Sequence, residues 1–206
     1  MKGTQLDLFR NPLYIYQINV GSAQEEELIK DCYRWSKESK GLNISNVNGW
    51  HSESALFRRS ENSFKSLSSV LIESVNEASA SFIPDFDHTK YLCEGQGWVN
   101  INSKYSFNAP HMHPSFIWSG VYYLKVPISD NKNSGKIQFL DPRSGIESFS
   151  NGIIEFQKAF SSNFSIQPQQ HMLLIFPSWL SHWVLPNETT EDRISIAFNI
   201  RYKSKS

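Results

Sequence analysis

Asn108-Ala109-Pro110-His111-Met112-His113-Pro114 is the stretch around which the chain is organised. In an extended strand, side chains i and i+2 leave the same face, so His111 and His113 can converge on one point. A second stretch, Phe176-Pro177-Ser178-Trp179-Leu180-Ser181-His182, supplies a third histidine just after an apolar strand and a tight Pro177-Ser178 bend. Such a bend can aim a side chain into the mouth of a barrel. Three imidazoles at one point would suit iron, zinc, copper or nickel. The His-x-His spacing alone is equally compatible with an ordinary polar pair, and His182 is what tips it toward a metal. His51, His88 and His171 stand singly and read as surface or hydrogen-bonded core residues.

Outward from these stretches, the chain is strand-rich. Trp98-Val99-Asn100-Ile101-Asn102 alternates, Ile117 to Val126 is dense in β-formers, and Lys136 to Leu140 follows a turn at Asn131–Gly135. Met172 to Phe176 reads as a buried strand, and Arg193 to Ile200 alternates. The part before Tyr91 differs. Leu6 to Val20 is expected as a strand broken in two at Asn11-Pro12. Ser22-Ala23-Gln24-Glu25 is expected as a capping box opening a helix buried through Leu28, Ile29, Cys32 and Trp35. A polar connector from Asn43 to Ser54 carries Gly49-Trp50-His51, and a second helix is expected over about 61–78. Ser144 to Gln167 has weak periodicity and is expected as a long loop, functional or mobile, and Lys203 to Ser206 as a frayed tail. No repeat or linker interrupts the pattern. The expectation is one domain over 1–206, with helical support over about 22–80 and an antiparallel β body over about 91–202.

With 206 residues the chain can build a full core without disulfides or structural zinc. Its 20 basic and 20 acidic residues cancel, which leaves no footprint for general nucleic-acid binding. Two cysteines, Cys32 and Cys93, suit a reducing interior. No apolar run approaches the roughly 20 residues of a membrane span, and the start leads into no apolar signal region. A soluble cytoplasmic protein is the expectation. Barrels with exposed edge strands often pair, which makes a homodimer a further one.

The last strand adds chemistry. Arg193 and Ser195 share one of its faces with Ala197 and Asn199, while Ile194, Ile196 and Phe198 take the other. A guanidinium fork and a hydroxyl on one face can hold a carboxylate together.

A His-x-Asp pair, a distant His, and an Arg about ten residues later mark the non-haem iron, 2-oxoglutarate-dependent oxygenases, and this chain's pattern resembles theirs. More narrowly, it is similar to a family of 2-oxoglutarate–Fe(II) oxygenases found in phages and marine bacteria. The matching stretches are Leu8-Phe9-Arg10-Asn11-Pro12-Leu13, Trp98-Val99-Asn100, Asn108 to Pro114, Ser119-Gly120-Val121-Tyr122-Tyr123-Leu124, Asp141-Pro142-Arg143, Leu174 to His182, and Arg193 to Asn199. The resemblance implies a mainly β fold with N-terminal helices, the double-stranded β-helix or cupin-like jelly roll. It implies His111, His113 and His182 on Fe(II), and Arg193 and Ser195 on the far carboxylate of 2-oxoglutarate, with O2 as the other cosubstrate. Tyr123 falls where related prolyl hydroxylases place a tyrosine on that carboxylate, although Tyr122 and Tyr123 also read as plain core. Asn100, Asn102, Trp118 and Trp179 are expected on the substrate pocket, with the Ser144–Gln167 segment and the connector at Trp50-His51 as walls or lids.

In one respect the chain departs from that pattern. The wider superfamily carries Asp or Glu where this chain has His113, so the metal would meet three neutral imidazoles. Weak iron binding, another metal or a lost activity are the alternatives this opens. Asp141 sits past the end of its own strand and is a poor replacement. The expected function is hydroxylation of a small-molecule or macromolecular substrate. Against it stand a cupin-like metalloenzyme without 2-oxoglutarate, for which no acid follows the histidine pair and Arg193 has no use, and a non-catalytic jelly-roll binding module.

Overall fold

The computed structural model describes residues 3–4, 8–143 and 145–205. In chain order it runs β1 (Tyr14–Gln17), α1 (Ser22–Glu38), β2 (Asn46–Val47), β3 (Trp50–His51), α2 (Asn62–Phe82), β4 (Tyr91–Asn102), β5 (Phe107–His111) and β6 (Trp118–Lys125). Then follow β7 (Ile137–Leu140), α3 (Ile154–Ala159), β8 (Asn163–Ile166), β9 (Met172–Pro177), β10 (His182–Val184) and β11 (Arg193–Ser204). Among the described residues, no helix is long and apolar enough to cross a membrane.

Two antiparallel sheets carry the site. The larger has the strand order β1-β9-β6-β11-β4-β3, and the smaller β2-β5-β10-β7-β8. Alternation along the strands of the larger sheet decides its two faces. Val99, Ile101, Trp118, Tyr122, Ile194, Ile196 and Phe198 turn outward and meet Leu28, Cys32 and Trp35 of α1 and Phe64, Leu67, Leu71 and Val75 of α2. Each such side chain contributes about 1.5–3 kcal/mol when fully buried, so the helices and the sheet stabilise one another. The inner face carries Val121, Tyr123, Met172, Leu174 and Phe176, which pack on Ile137, Phe139 and Leu180 of the smaller sheet's side. This is the double-stranded β-helix architecture expected from the sequence.

Several local expectations need correction. Among the described residues the first strand is confined to β1, and upstream of it Asn11 Nδ2 donates to the Phe9 carbonyl at 3.1 Å; Leu6 lies outside the described residues. Ser22 and Glu25 form no capping box. Gly21, at φ 81°, takes the N-cap position, and its carbonyl accepts the Glu25 N–H at 3.0 Å. Glu25 turns its carboxylate to Nε2 of His171 at 3.0 Å instead. The expected loop after Ser144, itself outside the described residues, contains a 3-10 turn at Ile146–Ser150, α3 and β8. The tail is not frayed at its start. β11 runs to Ser204 against β4, and Lys203 pairs with Glu94 at 2.8 Å; Ser206 lies outside the described residues.

The connector between the helices is a bridge between sheets. β2 pairs with β5 of the smaller sheet and β3 with β4 of the larger one. Its turn is held from within, since Asn46 Nδ2 donates to the Gly49 carbonyl at 2.8 Å. It is tied to α1 through Trp50 Nε1 donating to the Ser39 carbonyl at 3.0 Å and Trp35 Nε1 donating to Glu53 at 3.1 Å.

Candidate active site

Neighbouring strands of the smaller sheet bring the three histidines together. His182 of β10 stands directly opposite His111 of β5 in the register. His113 lies two residues beyond His111, where its backbone N–H donates to the Ser178 carbonyl at 2.9 Å. The ring centroids are 4.4 Å apart for His111–His182, 4.9 Å for His111–His113 and 5.3 Å for His113–His182. One ligand atom from each lies within 4.8 Å of the others, so the three can share one metal ion.

Two of the rings have a defined tautomer. Nδ1 of His111 is 2.7 Å from the Ala109 carbonyl, and Nδ1 of His182 is 2.9 Å from the Leu180 carbonyl. A carbonyl only accepts, so each Nδ1 carries the proton and each Nε2 keeps its lone pair for a metal. Burial, reinforced by the neighbouring imidazoles, pushes His182 down to about 3 and His113 down to about 4. Burial also lowers His111. All three are therefore neutral at pH 7, the form that binds metal. Asp141 does not join them; its carboxylate pairs with Arg143 at 2.6 Å.

The opposite wall is the inner face of the larger sheet. Arg193 is 3% exposed and its Nη1 donates to Ser195 Oγ at 3.3 Å, while its guanidinium carbon lies over the Tyr123 ring at 5.0 Å. Arg193 Nε and Nη2 and the Tyr123 hydroxyl are buried without a hydrogen-bond partner among the described residues. Burial lowers the Arg193 pKa and raises that of Tyr123 to about 12, so the pair is a guanidinium beside a neutral phenol. Buried donors left unpaired are costly. A bound carboxylate would satisfy all three, and 2-oxoglutarate presents one. The three-imidazole set likewise fits a divalent transition metal. Both groups suit the residues present.

His111, His113, His182, Arg193, Ser195, Tyr123 and Asn100 line one cavity with Trp98, Phe176 and Asn108. Asn102 is buried on the same face, paired with Arg193 in the register, and donates to Asn108 Oδ1 at 3.4 Å. Trp118 is not there. It points to the helices, where Nε1 donates to Ser79 Oγ at 2.8 Å. Trp179 is half exposed, bonded to Asn11 and set in a separate surface groove with Met112, Leu140 and Arg143. Asn108 and Ser45 line the cavity although nothing in the sequence singled them out for it. Trp98 could have been placed from its parity with Asn100 on an alternating strand.

A double-stranded β-helix with a histidine triad on one sheet and a buried arginine on the other defines a metal-dependent oxygenase of the 2-oxoglutarate class. The sequence pattern of the family described as "Putative 2OG-Fe(II) oxygenase" matches residues 96–199, half of the 206 in the chain, and the chain belongs to that family. Members use iron(II) and 2-oxoglutarate. No curated protein matches the sequence.

Solved structures agree on the fold. A prolyl-4-hydroxylase from Pseudomonas putida is 12% identical, with 96% of each chain covered and a TM-score of 0.64. A prolyl hydroxylase from Trichoplax adhaerens, in complex with a hypoxia inducible factor peptide fragment, is 14% identical over 92% of this chain and 83% of that one, with a TM-score of 0.63. HygX from Streptomyces hygroscopicus, with nickel and 2-oxoglutarate bound, is 11% identical over 93% of this chain and 83% of that one, with a TM-score of 0.62.

Proposed function

We propose that the protein is a hydroxylase in which His111, His113 and His182 hold iron(II) and Arg193, Ser195 and Tyr123 hold the far carboxylate of 2-oxoglutarate. The observation that carries this assignment is Arg193. A guanidinium that is 3% exposed, with Nε and Nη2 unpaired, faces a cavity shared with three neutral imidazoles. His111, His113 and His182 are neutral and would bring no charge to offset a divalent metal, so that charge would be balanced by a dianionic cosubstrate.

Iron(II) with 2-oxoglutarate supplies the oxygen-dependent oxidation, which releases succinate and carbon dioxide. The protein's own residues do the placing. Arg193 and Ser195 fix one end of the cosubstrate, and the hydrogen bonds to Ala109 and Leu180 fix two of the three imidazoles. Val121, Ile137 and Phe176 keep the cavity wall apolar, which strengthens the electrostatic contacts inside it. The substrate is a small molecule or a peptide side chain meeting the wall formed by Trp98, Asn100 and Asn108; the structurally similar enzymes with a peptide fragment or hygromycin B bound support this range. The unpaired Cys32 and Cys93 support a reducing compartment such as the cytoplasm.

Anaerobic addition of Fe(II) and 2-oxoglutarate should give a visible charge-transfer band, and oxygen should then yield succinate. The His182→Ala variant should lose both. Absence of the band and of succinate above background in the wild type would overturn the assignment. Metal binding with activity independent of 2-oxoglutarate would point to the cupin-like alternative.

A further inference from the structure

His113 differs from its two partners in how it is held. His111 and His182 each anchor Nδ1 on a backbone carbonyl, whereas no ring hydrogen bond is made by His113 among the described residues. Its aromatic neighbours among the described residues are the other two histidines and Trp98, the latter with centroids 5.5 Å apart and planes at 54°. Trp98 is itself stacked on His51, centroids 5.2 Å apart and planes only 14° from parallel. His51 is 3% exposed and is fixed by Nδ1, which lies 2.6 Å from the Ser52 carbonyl. The column therefore runs from the connector strand β3, through β4, to the third histidine.

Among the described residues, no polar protein group selects which ring nitrogen of His113 would face a metal or holds its χ angles. Metal-bound histidines ordinarily obtain both from a hydrogen bond on the second nitrogen. The restraint the described protein groups supply here is packing, and a stacked pair of flat rings held by the connector is a stiff one.

We propose that Trp98 and His51 are positioning residues that take the place of a hydrogen bond in orienting His113 toward the metal. Neither is a ligand. The proposal rests on the reading of His113 as a ligand, and the test separates the two. The connector is thus part of the metal site, although its own residues stand outside the triad.

The test is titration of the metal-free protein with Co(II) alone, followed by the visible d–d absorption, which reports ligand number and geometry. Replacing residues that orient a metal-bound histidine typically lowers metal affinity by about 10–100-fold. Trp98→Leu keeps apolar bulk but cannot stack; it should weaken Co(II) binding by about tenfold or more and change the band. Trp98→Phe should restore binding to within a few-fold of wild type. His51→Leu should shift both readouts in the same direction by a smaller amount, and it carries the test if Trp98→Leu does not fold. His113→Ala is the control. If His113→Ala binds Co(II) as the wild type does, the ligand reading itself fails. If His113→Ala loses affinity while folded Trp98→Leu, or in its place His51→Leu, matches the wild type in affinity and spectrum, the positioning role is overturned and the ligand reading stands.

Discussion

The guanidinium carbon of Arg193 lies 5.0 Å over the ring of Tyr123, and no carboxylate pairs with it among the described residues. The phenol offers a π face and a hydroxyl, but neither offsets the desolvation of a full charge. The arrangement is therefore poor for stability and suited to binding an anion.

Arg193→Leu should separate these two effects. The metal-free protein should be as stable as the wild type or melt a few degrees higher, because an unpaired buried charge is gone. Affinity for 2-oxoglutarate should fall by about 100-fold, on the scale of removing one partner of a buried charged pair. Thermal unfolding with and without 2-oxoglutarate measures both. A variant that melts lower and still gains stability from the cosubstrate would contradict the assignment.

The pH dependence of stability follows from the depressed histidines. His182 at about 3 and His113 at about 4 stay neutral in the folded state while the unfolded chain takes up protons near the ordinary value of 6.5. The unfolded state thus binds more protons between about pH 6.5 and 3, and stability is lost as pH falls through that window. Each fully depressed histidine contributes at most about 1.4 kcal/mol per pH unit. Denaturant titrations of the metal-free protein at pH 7 and pH 5 should show the lower stability at pH 5.

Trp118→Phe should lower stability by about 1–3 kcal/mol, since it removes volume and the donor to Ser79 Oγ from the helix-facing core. Affinity for 2-oxoglutarate and metal should not move. A changed affinity with unchanged stability would mean that Trp118 serves the cavity.

Gly120→Ala should be destabilising by about 1–3 kcal/mol, measured by chemical denaturation. A Cβ there would stand 2.2 Å from Cζ of Phe198, which is 1% exposed and packed under the helices. Phe198 is buried in the helix-facing core, so its ring must displace its neighbours to make room.

Much of the site could be read from the sequence because it depends on strand parity. The i, i+2 spacing of His111 and His113, and the alternation of Arg193 and Ser195 with Ile194 and Ile196, need no tertiary information. The same rule, applied within β6, places Trp118 and Tyr123 on opposite faces because an odd number of steps separates them, so the two could not both face the cavity. What the sequence could not show was the partnering of strands far apart in the chain. That His182 stands opposite His111, and that His51 backs Trp98, depends on which strands pair. The first helix misled for a local reason. Ser22-x-x-Glu25 has the letters of a capping box, but Gly21 precedes it with a positive φ and Glu25 is drawn off to His171.

Asn46 and His51 stand on opposite sheets although only a short turn separates them along the chain. That clasp closes one end of the sandwich, while β1 and β8 form open borders at the other. His51 and Trp98 sit at that clasped end. Amide hydrogen exchange should therefore be faster at the Leu13, Ile15 and Phe164 border than at the histidine end. The histidine end is the tethered border of the sandwich, not its open one.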